Sequence, residues 1–282
     1  MHKWKAKAGV FLAVTFVTAG ILGAAQPATG IPTEVIQLTQ FGPALGVAAV
    51  ALLWPSPVRA LLAGAWPGGR AEGLSAGPSA GPSARPGGRP GPGGRPGRAG
   101  RALPLLATAL LITALSAGTY ALATGDAHAT DPRSLDHPFA LIVVAQLIGA
   151  CGEEIGWRCF LQPLLRTRFG PLTVSTSIGA VWGVWHVQVF AQAPAYAAGF
   201  LLGTVAMSVV LGLGLERVRA NRLPLAGGFH TLINLGMLLF MDEESGAVLP
   251  MVLFGAACLV AAGPWVWRTP AARIPAMAHS AR

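Results

Sequence analysis

The stretch Gly152-Glu153-Glu154-Ile155-Gly156-Trp157-Arg158 lies in the middle of an apolar run that extends from about 138 to 165. A run of this length can cross a bilayer as one helix. Charged side chains are costly there, because a charge at the bilayer centre loses its hydration, and such residues usually mark a functional site. The stretch therefore predicts a membrane helix that carries a polar site inside a helix bundle.

The composition of the whole chain agrees with a membrane protein. Of the 282 residues, 53% are apolar and 11% are charged, whereas about 25% are charged in a soluble domain. The formal net charge is +9, but the basic residues lie between apolar runs rather than on one face. We therefore expect the lipid bilayer, and no nucleic acid, as a partner.

Apolar segments of membrane-spanning length predict an all-α polytopic protein with about eight transmembrane helices. Most lysines and arginines fall in alternate loops, which places both termini in the cytoplasm of a bacterial plasma membrane. The first segment could alternatively be a signal peptide, because three lysines precede it. The predicted spans are 8–27, 36–55, 102–124, 138–165, 171–191, 196–215, 223–241 and 247–267.

Three regions follow from these spans. Residues 1–66 hold the first two helices, 67–101 form a Gly/Pro/Arg-rich tract, and 102–282 hold the remaining six helices. The tract lacks the apolar residues that a core requires, so we predict a disordered cytoplasmic linker. Its arginines could alternatively contact anionic lipid.

Polar residues recur at helical spacing on three of the predicted spans. Glu154 and Arg158 are four residues apart and share a helix face, whereas Glu153 points away from that face. His186 and the pair His230 and Asn234 follow on later spans. Polar groups inside apolar helices point to the bundle interior, so these side chains are predicted to meet at one centre.

The three motifs Glu-Glu-x-x-x-Arg, aromatic-x-x-x-His and His-x-x-x-Asn occur in this order at 153–158, 182–186 and 230–234. Over about 138–241 the chain resembles the CPBP family, also called the CAAX protease and bacteriocin-processing or Abi family. These are intramembrane endopeptidases related to type II CAAX prenyl endopeptidases. One departure is Trp182, where many relatives have Phe.

The resemblance implies hydrolysis of a membrane-anchored peptide or protein without a covalent intermediate. Glu153 would be the general base that activates water, with His186 assisting. His230 and Asn234 would donate hydrogen bonds to the developing oxyanion, and Glu154 and Arg158 would hold the site together. No cofactor is required by this chemistry.

Other functions use the same residues. A divalent metal such as zinc could be held by Glu153, Glu154, His186 and His230, although the His-Glu-x-x-His pattern of helical zinc sites is absent from the sequence. The cluster could instead be the recognition pocket of a non-catalytic membrane immunity or binding protein. Buried carboxylates also occur in proton-coupled transporters, but the sequence lacks an evident inverted repeat.

Overall fold

The computed structural model describes residues 3–67, 99–216, 218–241 and 246–269. All regular structure in these ranges is helical, which confirms the predicted all-α fold for this part of the chain. The 3₁₀ turns Leu38–Phe41 and Val187–Ala191 and the π-helix Ile155–Leu161 interrupt the α-helices. The α-helices are α1 (Lys3–Thr29), α2 (Gly42–Leu53), α3 (Pro55–Leu62), α4 (Ala99–Thr124), α5 (Phe139–Glu154), α6 (Gln162–Arg166), α7 (Pro171–Trp185), α8 (Pro194–Leu215), α9 (Arg222–Phe240) and α10 (Val248–Trp267).

Several described helices are long and apolar enough to cross a membrane, which confirms an integral membrane protein. They are Lys3–Thr29, Ala102–Thr124, Phe139–Arg166, Pro194–Leu215, Arg222–Phe240 and Val248–Trp267. The second predicted span is the shorter apolar segment Leu38–Leu53. The fifth is α7, whose 15 residues extend about 22 Å, less than the bilayer core. A total of eight spans therefore remains a prediction.

The predicted linker and the domain boundaries next to it also remain predictions, because residues 68–98 lie outside the described part of the chain. The chain before this gap contacts the start of α9. The backbone N–H groups of Arg222 and Leu223 donate to the carbonyl oxygens of Gly64 and Ala65, at 3.2 and 3.0 Å. This contact gives acceptors to the first-turn N–H groups that no helix satisfies internally, and it fixes the start of a helix that carries two predicted site residues.

Helix α7 begins at a proline and ends where the backbone changes direction. Pro171 occupies its first turn, where a missing N–H costs no helical hydrogen bond. At His186 the backbone leaves the helix with φ −78° and ψ 64°, and α8 begins at Pro194. The helix therefore ends next to the predicted catalytic histidine rather than continuing to 191.

The helices that carry the predicted site form two packed pairs. Helix α5 packs on α9, and α7 packs on α8. The second pair approaches closely at Gly179, where a Cβ atom would lie 2.7 Å from both the Cα of Val205 and the Cβ of Ser208. Small residues permit such approaches between membrane helices. The site therefore lies where one helix pair meets the other.

Aromatic side chains fill the interior of the bundle around the π-helix. The ring of Phe11 lies 5.5 Å from that of Trp157 and 5.2 Å from that of Phe160, measured between centroids. Trp157 also contacts Trp185 at 6.1 Å in an edge-to-face arrangement, a favoured geometry for aromatic pairs. This cluster joins α1, the π-helix and α7, so it fixes the direction of the π-helix inside the bundle.

Substitution of Gly179 by Ala is expected to lower the thermal midpoint of the detergent-solubilised protein by several degrees. The added methyl would overlap backbone of α8, and overpacking costs about 1–3 kcal/mol. The matched control is Gly118→Ala on α4, where a Cβ meets nothing within 4 Å. Equal midpoints for the two variants would contradict the close approach of α7 and α8.

Candidate active site

Glu153 lies at the end of α5 and is 1% exposed. Its Oε2 accepts a hydrogen bond from the indole Nε1 of Trp182, at 2.7 Å. The hydrogen bond from Trp182 uses Oε2 and leaves the other oxygen, Oε1, unoccupied by this donor. One oxygen of this carboxylate is therefore anchored, and the other remains for an incoming group.

Glu154 has cationic or ionisable partners on both of its oxygens. Oε2 lies 3.3 Å from Nε of Arg158, and Oε1 lies 3.0 Å from Nδ1 of His230. Both side chains of the Glu154–Arg158 pair are 0% exposed. The pairing predicted from the i,i+4 spacing is confirmed, and the contact with His230 adds a partner from α9.

The π-helix follows Glu154 directly and holds the rest of this motif. Gly156 through Leu161 are all buried, which a regular helix at the surface of a bundle does not allow. π-helical turns occur mostly as single insertions and are common at functional sites. In this chain the wider turn brings Trp157 and Arg158 inside together.

Arg158 is a fully buried cation. Its guanidinium carbon lies 5.1 Å from the centroid of the Trp182 ring, within the range of a cation–π contact. Nη1 and Nη2 have no hydrogen-bond partner among the described residues. The charge is therefore compensated by Glu154 and by the Trp182 ring face, which makes this arginine dependent on both.

His186 is the C-cap of α7 and is partly exposed. Its Nδ1 lies 2.8 Å from the backbone carbonyl oxygen of Trp182. A carbonyl oxygen can only accept, so Nδ1 carries the proton and Nε2 of the neutral ring holds a lone pair. Trp182 thus contacts Glu153 through its indole and His186 through its backbone, although Glu153 and His186 are not hydrogen-bonded to each other.

The pair His230 and Asn234 lies on consecutive turns of α9. Because Nδ1 of His230 faces a carboxylate of Glu154, this nitrogen carries the proton. The Nε2 atom then donates a hydrogen bond only when the ring is an imidazolium ion. Asn234 donates from Nδ2 to Oε1 of Gln146, at 2.9 Å. The structure therefore gives both side chains partners that orient them.

The sequence does not predict the site contacts of two residues, Trp182 and Gln146. Trp182 is predicted to be only an aromatic neighbour of His186, yet its N–H contacts Glu153. Gln146 has no predicted role, yet it contacts Asn234. A signal for Gln146 exists in the sequence, because a glutamine seven residues before Glu153 lies on the same face of an apolar helix.

The described residues do not place the alternative metal ligands in the geometry of a metal site. Among the described residues, no group of three or more His, Cys, Asp or Glu side chains is arranged to hold a metal ion. Glu153 faces an indole N–H, and Glu154 faces Arg158 and His230. A divalent ion held by Glu153, Glu154, His186 and His230 therefore remains a prediction.

Residues 135–236 match the family model described as Type II CAAX prenyl endopeptidase Rce1-like. Over this segment the chain is similar to that family. The match includes α5, the π-helix, α7 and α8 in full and most of α9, and it contains every residue of the predicted site. The resemblance inferred from the three sequence motifs is confirmed, while the roles of the individual residues remain predictions.

Two named relatives are similar to part of this chain. The chain is 27% identical over 139 residues to CAAX prenyl protease 2 of Methanococcus maripaludis, covering 45% of this chain and 51% of the relative. It is 25% identical over 112 residues to Lysostaphin resistance protein A of Staphylococcus aureus, covering 40% of this chain and 27% of the relative. The chain thus spans about half or less of the length of these relatives.

Substitution of Arg158 by Met is expected to destabilise the fold strongly. It leaves Glu154 buried with one cationic partner removed, and breaking a buried ion pair in this way costs about 3–5 kcal/mol. The matched control is Arg166→Met, which breaks the partly exposed pair with Glu216 and costs at most about 1 kcal/mol. Thermal unfolding in detergent compares the two variants. Equal midpoints would show that Arg158 does not hold the site.

Proposed function

We propose that this chain is an intramembrane endopeptidase that hydrolyses a peptide bond in a membrane-associated protein or peptide. The match of residues 135–236 to the Rce1-like family model supports protease activity in general. The observation that carries the proposal is the arrangement around Trp182, which contacts Glu153 through its indole N–H and His186 through its carbonyl oxygen. Two groups capable of moving protons are thereby joined through one buried residue.

Glu153 is the proposed general base. Its Oε2 is held by Trp182, so Oε1 is the atom that takes a proton from a water molecule. The water oxygen then forms a bond to the carbonyl carbon of the substrate. A general base has to lie within hydrogen-bond distance of the proton that it removes, and a carboxylate fixed at one oxygen satisfies this requirement without losing its second oxygen.

His186 assists as a proton carrier. Since its Nδ1–H is used by the carbonyl of Trp182, Nε2 is the atom available for exchange. The carbon–nitrogen bond of the substrate breaks as the leaving amine nitrogen receives the proton taken from the water. The reaction consumes one water molecule and yields a carboxylic acid and an amine, which ionise to a carboxylate and an ammonium group, with no covalent enzyme intermediate.

The oxyanion of the tetrahedral intermediate is stabilised by α9. Asn234 uses one Nδ2–H for Gln146 and retains the second for the oxyanion. His230 donates from Nε2 in its imidazolium form, with Nδ1 held by Glu154. Donors fixed in advance in a dry site stabilise such charge effectively; the loss of one costs about 10²- to 10³-fold in rate.

Glu154 and Arg158 are proposed to hold this arrangement rather than to react. Oε1 of Glu154 contacts Nδ1 of His230, and Oε2 faces Arg158 as an ion pair without a hydrogen bond. Arg158 compensates its charge and contacts the ring of Trp182. The pair therefore connects α5 with α9 and, through Trp182, with α7.

The expected class of substrate follows from the location of the site inside the membrane helix bundle, not from the shape of a binding pocket. The site lies within an integral membrane bundle, so the substrate is expected to be membrane-anchored. The name of the relative from Methanococcus maripaludis, CAAX prenyl protease 2, supports a prenylated carboxy-terminal motif as one candidate. An unprenylated peptide precursor is the other. Both termini are proposed to face the cytoplasm of a bacterial plasma membrane.

A non-catalytic role is the second candidate function. The staphylococcal relative is named for lysostaphin resistance, a description that does not itself require proteolysis. In that case the polar cluster would bind a partner without cutting it. The two functions differ in whether the phenotype of the protein requires the carboxylate of Glu153.

Glu153→Gln is expected to abolish proteolysis while the protein still inserts and folds, because the amide cannot remove a proton from water. Comparison of membrane proteomes from cells with the wild type and with this variant should show proteins whose carboxy terminus or size differs. Thermal unfolding of the purified variant provides the folding control.

Identical proteomes together with a preserved phenotype would favour the binding role. Wild-type protein that loses activity after exhaustive chelation, and regains it with a divalent ion, would contradict the proposal that no metal takes part.

Trp182→Phe is expected to lower the specificity constant kcat/KM by about 10- to 100-fold, since a hydrogen bond to a charged group contributes about 1.5–3 kcal/mol. The assay uses a quenched-fluorescent peptide with the cleavage site found in the proteome comparison. Trp185→Phe is the matched control, because this indole is also buried but its N–H has no hydrogen-bond partner among the described residues. Equal losses in both variants would mean that ring packing, not the hydrogen bond, matters.

A further inference from the structure

Gln146 is a partly buried polar residue in the apolar helix α5, and none of the three sequence motifs contains it. Its side-chain amide contacts two different parts of the fold. Nε2 lies 3.2 Å from the carbonyl oxygen of Glu34 and 3.5 Å from that of Val35. Oε1 lies 2.9 Å from Nδ2 of Asn234. Gln146 therefore connects the segment between α1 and α2 with the site on α9.

The chemistry of these contacts fixes the orientation of both amides. Backbone carbonyl oxygens only accept hydrogen bonds, so the nitrogen of Gln146 has to face Glu34 and Val35. Its oxygen then faces Asn234 and can only accept, so Asn234 has to present its nitrogen. A flipped Asn234 would place two carbonyl oxygens together with no proton between them. The backbone of residues 34 and 35 thus determines which atom Asn234 presents.

The acceptors of Gln146 are themselves held in place. Gln26 on α1 donates from Nε2 to the carbonyl oxygens of Ile31 and Ile36, at 3.2 and 2.8 Å, and accepts from the backbone N–H of Leu38, at 2.8 Å. The segment 31–38 is therefore fixed on both sides of Glu34. Gln26 holds the same segment as Gln146 but does not contact Asn234, which makes it a natural control.

We propose that Gln146 is a positioning residue for catalysis, which orients the amide of Asn234 so that its second Nδ2–H points to the oxyanion. This inference rests on the proposed protease function, and in particular on the oxyanion role of Asn234. Gln146 touches neither the substrate nor the reacting atoms. Its effect on the rate passes entirely through Asn234, so it disappears when Asn234 is absent.

The test is a double-mutant cycle in proteoliposomes with the quenched-fluorescent peptide described above. Gln146→Met keeps the side-chain length but removes both hydrogen bonds. We expect kcat to fall about 10-fold or more with KM nearly unchanged, because the oxyanion contact forms only in the transition state. Asn234→Ala is expected to lower kcat by about 100-fold, and adding Gln146→Met to it should cause no further loss.

Gln26→Met is the matched control and is expected to leave kcat within about two-fold of the wild type, even where it lowers the thermal midpoint. Gln146→Asn provides a second variant if Gln146→Met does not fold. It keeps an amide that is one methylene too short to reach both partners, and should show the same fall in kcat.

Three results would overturn the proposal: an unchanged kcat in a folded Gln146 variant, a multiplicative loss in the double variant, or an equal loss in Gln26→Met. If the wild-type protein shows no cleavage that is lost in Glu153→Gln, the proposed protease function is rejected, and the role of Gln146 is rejected with it. A functional protease in which Asn234→Ala is fully active would reject the oxyanion role alone. The outcomes therefore distinguish failure of the proposed protease function from failure of the positioning role of Gln146.

Discussion

The structure depends on the need to compensate charge where water is excluded. Glu154 and Arg158 are buried inside a membrane helix bundle, and an uncompensated charge there would cost several kcal/mol. One helix cannot supply all the partners. Glu154 therefore draws on Arg158 from the π-helix and on His230 from α9, while Arg158 also contacts the ring of Trp182 from α7. The same contacts that satisfy the charges bring three helices to one point.

The two adjacent glutamates have different environments, and this difference separates their roles. Glu154 has charged or ionisable partners on both oxygens, which suits a fixed structural carboxylate. Glu153 has a neutral donor, the indole N–H of Trp182, on Oε2, which suits a carboxylate that reacts through Oε1. Trp182 joins this carboxylate to His186, and Gln146 joins Asn234 to the segment between α1 and α2. The site is thus held from elements that lie far apart in the sequence.

The sequence predicts contacts between residues of one helix, but it does not predict contacts between different helices. Spacing of four residues predicts the Glu154–Arg158 pair, because that distance is set by helix geometry alone. Composition likewise predicts an all-helical membrane fold. The contacts of Trp182 with Glu153 and of Gln146 with Asn234 depend on how helices rotate and cross, which no local pattern encodes. The sequence also does not predict that α7 ends just before His186, because apolar residues continue beyond this position.

The central claim is that Glu153 activates water rather than attacking the substrate itself, and oxygen labelling tests it most directly. In a single turnover in water enriched with ¹⁸O, direct attack by water places one ¹⁸O atom in the new carboxylate of every product molecule. Attack by Glu153 would form an anhydride, and its hydrolysis at the glutamyl carbon would leave the product unlabelled and the enzyme labelled. Fully labelled product in the first turnover is the result that the account predicts. Unlabelled product with ¹⁸O in Glu153 would contradict it.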